Sequence, residues 1–124
     1  MDNGTRLSVD LSDIKGIPLV QVHGEIDLYT APQLERALEV GIGRGTPALI
    51  IDLSNASYVD SAGLSALLWA NKALSARDAD LYVVAPPSNR GVRRVLEITR
   101  LDTLFRVRDS IEDVLKELKS PKAA

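Results

Sequence analysis

The first apolar residues of the chain alternate with polar ones, a period of two that is typical of a β-strand with one solvent-facing side. Leu7, Val9 and Leu11 carry this alternation, and a turn is predicted at residues 13–16. Residues 17–23 then predict a second strand, because apolar and β-branched side chains dominate them. Two strands joined by so short a turn are expected to pair as an antiparallel hairpin.

Beyond the hairpin, the period changes to that of a helix, and the two kinds of segment then alternate. Residues 31–42 predict an amphipathic helix that Thr30 caps. Residues 48–53 predict a buried strand, since all but one of them are apolar. After a polar turn at 54–58, a long helix is expected to begin at Ser61.

Two further strand–helix units complete the chain. They are strands at 81–85 and 104–107, and helices that begin after 88–89 and after 109–110. Buried strands that alternate with helices favour an α/β fold with a mixed, mostly parallel sheet and helices packed on it. We expect a single domain over residues 1–124, ordered from about 5 to 119, with 120–124 as a flexible tail.

The composition is that of an ordinary globular protein, with 45% hydrophobic and 26% charged residues among 124. The net charge of -2 gives no reason to expect nucleic acid as a partner. No apolar run approaches the roughly 18 residues that a membrane span needs, and the N-terminus has no signal-peptide pattern. We therefore expect a cytoplasmic protein that binds neither nucleic acid nor membrane.

The missing residue types exclude much chemistry. Without cysteine there is no disulfide, thiol nucleophile or thiolate zinc site, and His23 is the only histidine. We expect His23 to lie half-exposed near a strand end, with no serine close in sequence for a catalytic pair. No cofactor and no metal site are predicted. The charged residues of the third predicted helix, within 90–100, are interpreted as a solvated face.

Ser61 stands at the predicted start of the helix that follows the buried strand. One interpretation is an ordinary N-cap, whose side-chain oxygen accepts a hydrogen bond from a free N–H group of the first turn. The other is a hydroxyl exposed at the helix N-terminus, where the helix field favours an added anionic group. The pattern of residues alone leaves both interpretations open.

At 100° per residue, the helix after Ser61 divides into two arcs of different character. One arc is mostly leucine and is predicted to face the core: Leu64, Leu67, Leu68, Asn71 and Leu74. The opposite arc is alanine around the only tryptophan: Ala62, Ala66, Trp69, Ala73 and Ala76. Alanine there fits a face covered by another helix or helix propensity alone, but it also fits a shallow docking surface with Trp69 as its anchor. The neighbouring Ser61 favours docking.

Three segments resemble STAS domains, in order and at the spacing of that family: Gly24-Glu-Ile-Asp27, Leu49-Ile-Ile-Asp-Leu53 and Val59-Asp-Ser-Ala-Gly-Leu64. The chain looks most like the bacterial anti-sigma factor antagonists of that family, and the resemblance covers nearly its whole length. Asp-Ser-x-Gly-Leu after a buried strand is a specific signal, whereas Gly-x-x-Asp alone is weak.

In that family, an anti-sigma factor with ATP-dependent serine kinase activity phosphorylates the serine after the aspartate. The unphosphorylated form binds the anti-sigma factor and frees the sigma factor. The resemblance implies that Ser61 is the phosphorylation site, that a phosphatase can reverse the change, and that the protein is a binding module without enzymatic activity. Family members often have a second Ser or Thr next, where this chain has Ala62. Together with the arc around Trp69, the resemblance gives the predicted partner-binding residues: Asp27, Asp60, Ser61, Ala62, Gly63, Ser65, Ala66 and Trp69.

Two other functions are compatible with part of this pattern. A STAS-type scaffold or a transporter-associated STAS subunit would keep the fold without a phosphorylation switch. A serine hydrolase that uses Ser61 is disfavoured, because the chain lacks the G-x-S-x-G segment and a plausible histidine base.

Overall fold

The computed structural model describes residues 6–119, and the predicted tail at 120–124 lies outside the described residues. The described strands form one five-stranded sheet in the order β1-β2-β3-β4-β5. Their bounds are Leu7–Ile14 (β1), Ile17–Ile26 (β2), Ala48–Val59 (β3), Asp80–Val84 (β4) and Arg106–Arg108 (β5). β1 and β2 are antiparallel and the other three neighbouring pairs are parallel, which confirms the predicted mixed α/β fold with an N-terminal hairpin.

Helices cover the two faces of this sheet unequally. Their bounds are Ala31–Gly43 (α1), Ser61–Ser75 (α2), Arg90–Ile98 (α3) and Ile111–Lys119 (α4), and a 3-10 turn spans Leu101–Thr103. Buried residues of α1, α2 and α3 share one core with one face of the strands, whereas α4 contributes Val114 to a smaller core on the other face. Each parallel crossover passes through a helix, as the alternating pattern requires.

Two strands continue further than their apolar patterns predicted. β2 runs through Gly24 to Ile26, because Gly24 adopts φ +108 beside the backbone of Arg6, where a Cβ atom would clash with the Arg6 carbonyl oxygen. β3 continues to Val59 through residues 54–58, which were predicted as a turn. Two extra residues bulge from β3 in this polar part, so its residues change register against β2.

Asn89 holds the bulged part of β3 in place. It is the residue before α3, yet its side chain makes no capping hydrogen bond to that helix. Instead, the Asn89 amide donates to the carbonyl oxygens of Leu53 (3.0 Å) and Ala56 (2.7 Å), both in the irregular part of β3. These hydrogen bonds satisfy two backbone carbonyls of β3 and connect its polar part to the residue before α3.

A polar network fastens α4 to the sheet. The Tyr82 hydroxyl donates to Glu117 at 3.1 Å, and the Arg108 guanidinium donates to the same carboxylate at 2.7 Å. The hydrogen bond from Arg108 holds the pKa of Glu117 below its usual value, and burial raises the pKa of Tyr82. These contacts lie on the face of the sheet opposite to α2, so they do not involve Ser61 or the residues around it.

Candidate functional site

The loops that carry Asp27 and Asp60 leave the sheet side by side. Ile26 and Val59 are partners in the parallel pairing of β2 and β3, and each aspartate directly follows one of them. The Asp60 N–H donates to the Ile26 carbonyl oxygen at 3.1 Å. Asp27 and Asp60 therefore lie next to each other at the carboxyl ends of two parallel strands.

Asp60, rather than Ser61, is the N-cap of α2. Its backbone is extended, and its carboxylate accepts hydrogen bonds from the N–H groups of Ala62 (2.8 Å) and Gly63 (3.3 Å). Leu64 N–H closes the first helical turn on the Asp60 carbonyl oxygen at 3.0 Å. The interpretation of Ser61 as an ordinary N-cap is therefore wrong, because the residue before it already fills that role.

Ser61 is the first residue of α2, and it is exposed. Its hydroxyl makes no hydrogen bond to any of residues 6–119. A side chain that neither caps the helix nor supports the fold can be modified without loss of an internal contact. The structure thus agrees with the second interpretation, a hydroxyl presented to solvent at the start of the helix.

Asp27 organises its own loop. Its carboxylate accepts the N–H groups of Tyr29 (2.9 Å) and Thr30 (3.0 Å), while the Thr30 hydroxyl accepts the Asp27 N–H at 2.8 Å. Arg6 forms an ion pair with the same carboxylate. These contacts occupy most of the Asp27 carboxylate, so its main structural role is to fix the shape of the loop before α1.

Three large exposed side chains surround this edge and were not among the predicted site residues. Tyr29 is 80% exposed, and the neighbouring Leu28 and the β3 residue Tyr58 are exposed as well. The Arg6 guanidinium lies 5.8 Å from the centre of the Tyr29 ring. Large apolar and aromatic residues are unusual in a short loop between a strand and a helix. Their presence there is the sequence signal that could have identified Leu28 and Tyr29.

The buried face of α2 is rotated relative to the predicted leucine arc. Its buried residues are Gly63, Ala66, Leu67, Ala70 and Leu74. Leu68, predicted to face the core, is 38% exposed, whereas Ala66, predicted to face a partner, is fully buried. The physical reason is that α1 packs beside α2, and small residues let the two helices and the sheet approach closely.

Gly63 and Ala66, which are among the predicted partner-binding residues, are buried, and neither presents a side chain to solvent. Gly63 lies against the ends of β2 and β3, where a Cβ atom would be 2.7 Å from Ile26 Cγ2. Ala66 lies in the core. The rest of the predicted surface of α2 is accessible: Ser61, Ser65 and Trp69 are exposed, and Ala62 is half-buried.

Trp69 lies on the surface, as predicted, with 43% of its area exposed. It forms one wall of an open groove of about 440 Å³ whose other lining residues belong to α1: Pro32, Glu35, Arg36 and Glu39. The neighbouring helix thus covers part of the ring and leaves the rest accessible. Part of the alanine-rich arc is thus buried, as Ala66 is, and part is accessible at Trp69. The use of this arc as a docking surface stays a prediction.

Neither a metal cluster nor a membrane helix is found between residues 6 and 119. In that part of the chain, no three His, Cys, Asp or Glu side chains are placed to hold a metal ion together. None of its helices has the length and apolar character needed to cross a membrane.

The sequence and the fold of this chain are similar to those of known proteins. The model of the STAS domain family matches residues 8–114, so the chain belongs to that family. Among its curated relatives is the anti-sigma-B factor antagonist of Staphylococcus aureus (strain NCTC 8325 / PS 47). The two are 39% identical over 93 residues, which cover 75% of this chain and 84% of the relative.

Solved structures share the fold of this chain. An anti-sigma factor antagonist from Mycobacterium paratuberculosis superposes with a TM-score of 0.80 at 30% identity, over 92% of this chain and 95% of that one. The phosphorylated form of SpoIIAA, a Bacillus cell fate determinant, has a TM-score of 0.67 at 18% identity, over 90% of this chain and 100% of that one. At that lower identity the likeness to SpoIIAA shows the fold alone.

Proposed function

We propose that this protein is an anti-sigma factor antagonist that is switched by phosphorylation of Ser61. The observation that carries the proposal is the position of Ser61: its exposed hydroxyl has no hydrogen bond within residues 6–119, while Asp60 caps the helix. The name of the Staphylococcus aureus relative supports the role, and the phosphorylated form of SpoIIAA supports the compatibility of the fold with a phosphate. The protein then acts by binding, in the cytoplasm, and not as an enzyme.

In the proposed unphosphorylated state, the anti-sigma factor docks around Ser61. The exposed side chains of Leu28 and Tyr29 lie on the loop beside it, and Trp69 lies two turns along α2, about 12 Å away along the helix axis. Aromatic side chains supply large contact areas with little entropy to lose, which makes Tyr29 and Trp69 suitable anchors. Binding of the anti-sigma factor to this surface would free the sigma factor.

Phosphorylation of Ser61 would oppose this docking by electrostatics. A phosphate adds about -1.5 to -2 charges next to the Asp60 carboxylate. Asp60 already occupies the N–H groups of Ala62 and Gly63, so the helix N-terminus offers the phosphate fewer donors than an uncapped helix would. In a docked interface from which water is excluded, the two neighbouring negative groups would repel each other and be poorly solvated. Binding is lost, and the fold survives.

The phosphate must come from a partner, because the chain contains neither G-x-x-x-x-G-K-[ST] nor another nucleotide-binding motif. We assign the kinase activity to the anti-sigma factor itself and the reverse reaction to a separate phosphatase. Ala62 follows Ser61, so the position that often supplies a second hydroxyl in the family has none.

Ser65 provides a matched control for the test of this function. It is exposed on α2 and lies one turn after Ser61. The purified protein is incubated with its cognate anti-sigma factor and ATP, and the phosphorylated residue is located by mass spectrometry. We expect Ser61→Ala to abolish phosphorylation and Ser65→Ala to leave it at the wild-type level. Full phosphorylation of Ser61→Ala would contradict the proposal.

The same material separates the switch from a scaffold. Affinity for the anti-sigma factor is measured by calorimetry before and after phosphorylation. A switched antagonist loses affinity on phosphorylation, and a phosphatase restores it. Equal affinity in both states would indicate a STAS scaffold or a transporter-associated subunit instead.

A further inference from the structure

The third helix carries arginines that the fold does not use. Arg93 donates to Asp109 at 2.7 Å and to the Ala85 carbonyl oxygen at 2.6 Å, so it belongs to the structure. Arg90 and Arg94 are exposed and form no ion pair with any described residue. The interpretation of this helix as a uniformly solvated face therefore accounts for only some of its charges.

The position of these arginines does not favour the stability of α3. Arg90 is the first residue of the helix, and the first turn contains no acidic residue. A cation at a helix N-terminus is placed against the helix dipole. The side chain of Asn89, which could have capped this end, binds β3 instead. Local stability therefore gives no reason for a cationic first turn.

An exposed apolar side chain, Ile98, lies next to the two arginines on the same side of α3. Arg90, Arg94 and Ile98 follow one another at intervals of four residues, within an arc of about 80° and a length of about 12 Å. Ile98 is 65% exposed, and Leu104, just beyond the following 3-10 turn, is exposed as well. An open groove of about 360 Å³ runs beside them, and its lining residues are Pro87, Arg90, Arg93, Arg94 and Glu97.

We propose that this α3 surface, defined by Arg90, Arg94, Ile98 and Leu104, binds an acidic segment of a protein partner that also carries an aliphatic side chain. Carboxylates spaced one helical turn apart, about 6 Å, would match Arg90 and Arg94. An aliphatic side chain one turn further would contact Ile98. The inference goes beyond the proposed function, because it requires neither Ser61 nor its phosphorylation.

A protein segment fits this surface better than a nucleic acid. Glu97 lines the groove and pairs with Arg93, so Arg90 and Arg94 are left to match two carboxylates, fewer cations than a nucleic-acid backbone needs. Phosphate contacts also make little use of exposed aliphatic side chains, whereas protein interfaces bury them. The net charge of the chain is -2, so the rest of the molecule does not attract a polyanion.

The test uses a fluorescent synthetic helical peptide with glutamates at positions i and i+4 and a leucine at i+8. Binding to the full chain is measured by anisotropy at about 150 mM salt. We expect Arg90→Glu/Arg94→Glu to weaken binding at least tenfold and Ile98→Ser to weaken it about threefold. The matched control is Lys15→Glu/Lys119→Glu, which makes the same change in net charge beside α4, and we expect it to change affinity less than twofold.

Each other outcome decides against the proposal. No binding at about 1 mM peptide, or equal loss in the control pair, would show that the surface is not a specific docking site. Tighter binding of a DNA duplex or of anionic vesicles at the same salt, lost in Arg90→Glu/Arg94→Glu, would assign the surface to those ligands instead. Ser61→Asp should bind the peptide as the wild type does, which separates this test from that of the proposed function. Circular dichroism melts confirm that each variant is folded.

Discussion

The buried face and the exposed face of α2 differ in the kind of residue that they contain. The inner face consists of small and aliphatic residues that pack on the sheet and beside α1: Gly63, Ala66, Leu67, Ala70 and Leu74. The outer face mixes hydroxyls with large apolar side chains: Ser61, Ser65, Leu68 and Trp69. Packing accounts for every residue of the first set and for none of the hydroxyls of the second. The difference indicates that the inner face fixes the helix and the outer face is available for binding.

The inner face also fixes where Ser61 lies. Because Gly63 has no side chain, the first turn of α2 rests directly on Ile26 and Val59, the last residues of two neighbouring strands. Asp60 caps the same turn. Packing against the ends of β2 and β3 and the Asp60 cap thus fix the position of the helix backbone at Ser61. The Ser61 hydroxyl itself takes part in neither contact.

Adjacent leucines give the largest expected contrast between the two faces. Leu67 is fully buried and Leu68 is 38% exposed. Leu67→Ala should lower the free energy of unfolding by about 2–5 kcal/mol, because it leaves a cavity in the core. Leu68→Ala, the matched control, should cost less than about 1 kcal/mol. Urea denaturation measures both, and equal losses would mean that the division of α2 into two faces is wrong.

The contact beneath the first turn is tested by adding one methyl group. In Gly63→Ala the new Cβ would lie 2.7 Å from Ile26 Cγ2 and 2.9 Å from Val59 Cγ1, so buried side chains must move. We expect a loss of about 1–3 kcal/mol in the free energy of unfolding. The control Gly91→Ala, at a helical glycine with open space around it, should be neutral or stabilising by up to about 1 kcal/mol. A neutral Gly63→Ala would show that this contact does not hold the helix.

The order of the strands and helices could be predicted from the sequence, but which side of α2 faces the core could not. Periodicity identifies which segments are apolar, and it placed the hairpin, the start of the buried strand and the helix start at Ser61 correctly. The leucine arc was misplaced because burial in α2 depends on how the helix packs on the sheet and beside α1, which leaves Ala66 buried and Leu68 exposed. One interpretation assigned the cap to Ser61, but the preceding Asp60 also favours that position and fills it. The bulges of β3 depend on Asn89, which is more than thirty residues away in the chain.

Trp69 tests whether the outer face binds a partner. Its ring is partly covered by α1, so Trp69→Ala should cost about 1–2 kcal/mol of folding stability, less than the 3–5 kcal/mol expected for a fully buried tryptophan. Affinity for the anti-sigma factor should fall by about 2 kcal/mol. Calorimetry at a temperature where both proteins are folded separates the two effects. Wild-type affinity would remove Trp69 from the docking surface.

The intrinsic fluorescence of Trp69 gives a second measurement on the unmodified protein. It is the only tryptophan in the chain, so its emission reports the groove alone. We expect emission that is accessible to a soluble quencher in the free protein and protected in the complex with the anti-sigma factor. Quenching that does not change on binding would mean that the partner docks elsewhere around Ser61.

Ser61→Asp gives the smallest expected effect and separates folding from binding most cleanly. Asp60 remains the cap in this variant, and an aspartate in the first turn is favoured by the helix dipole, so stability should stay within about 1 kcal/mol of the wild type. The new carboxylate nevertheless places a second negative charge beside Asp60 on the outer face. Affinity for the anti-sigma factor should fall at least tenfold, about 1.4 kcal/mol.

Ser65→Asp is the matched control, since it adds the same charge to the same face one turn further from the Asp60 carboxylate. It should lower affinity less than Ser61→Asp does, because repulsion between like charges falls with distance and is screened by salt. A thermal melt and a binding titration are run on both variants. Equal losses of affinity would mean that any negative charge on the outer face blocks docking, and a loss of several kcal/mol in the stability of Ser61→Asp would mean that Ser61 supports the fold.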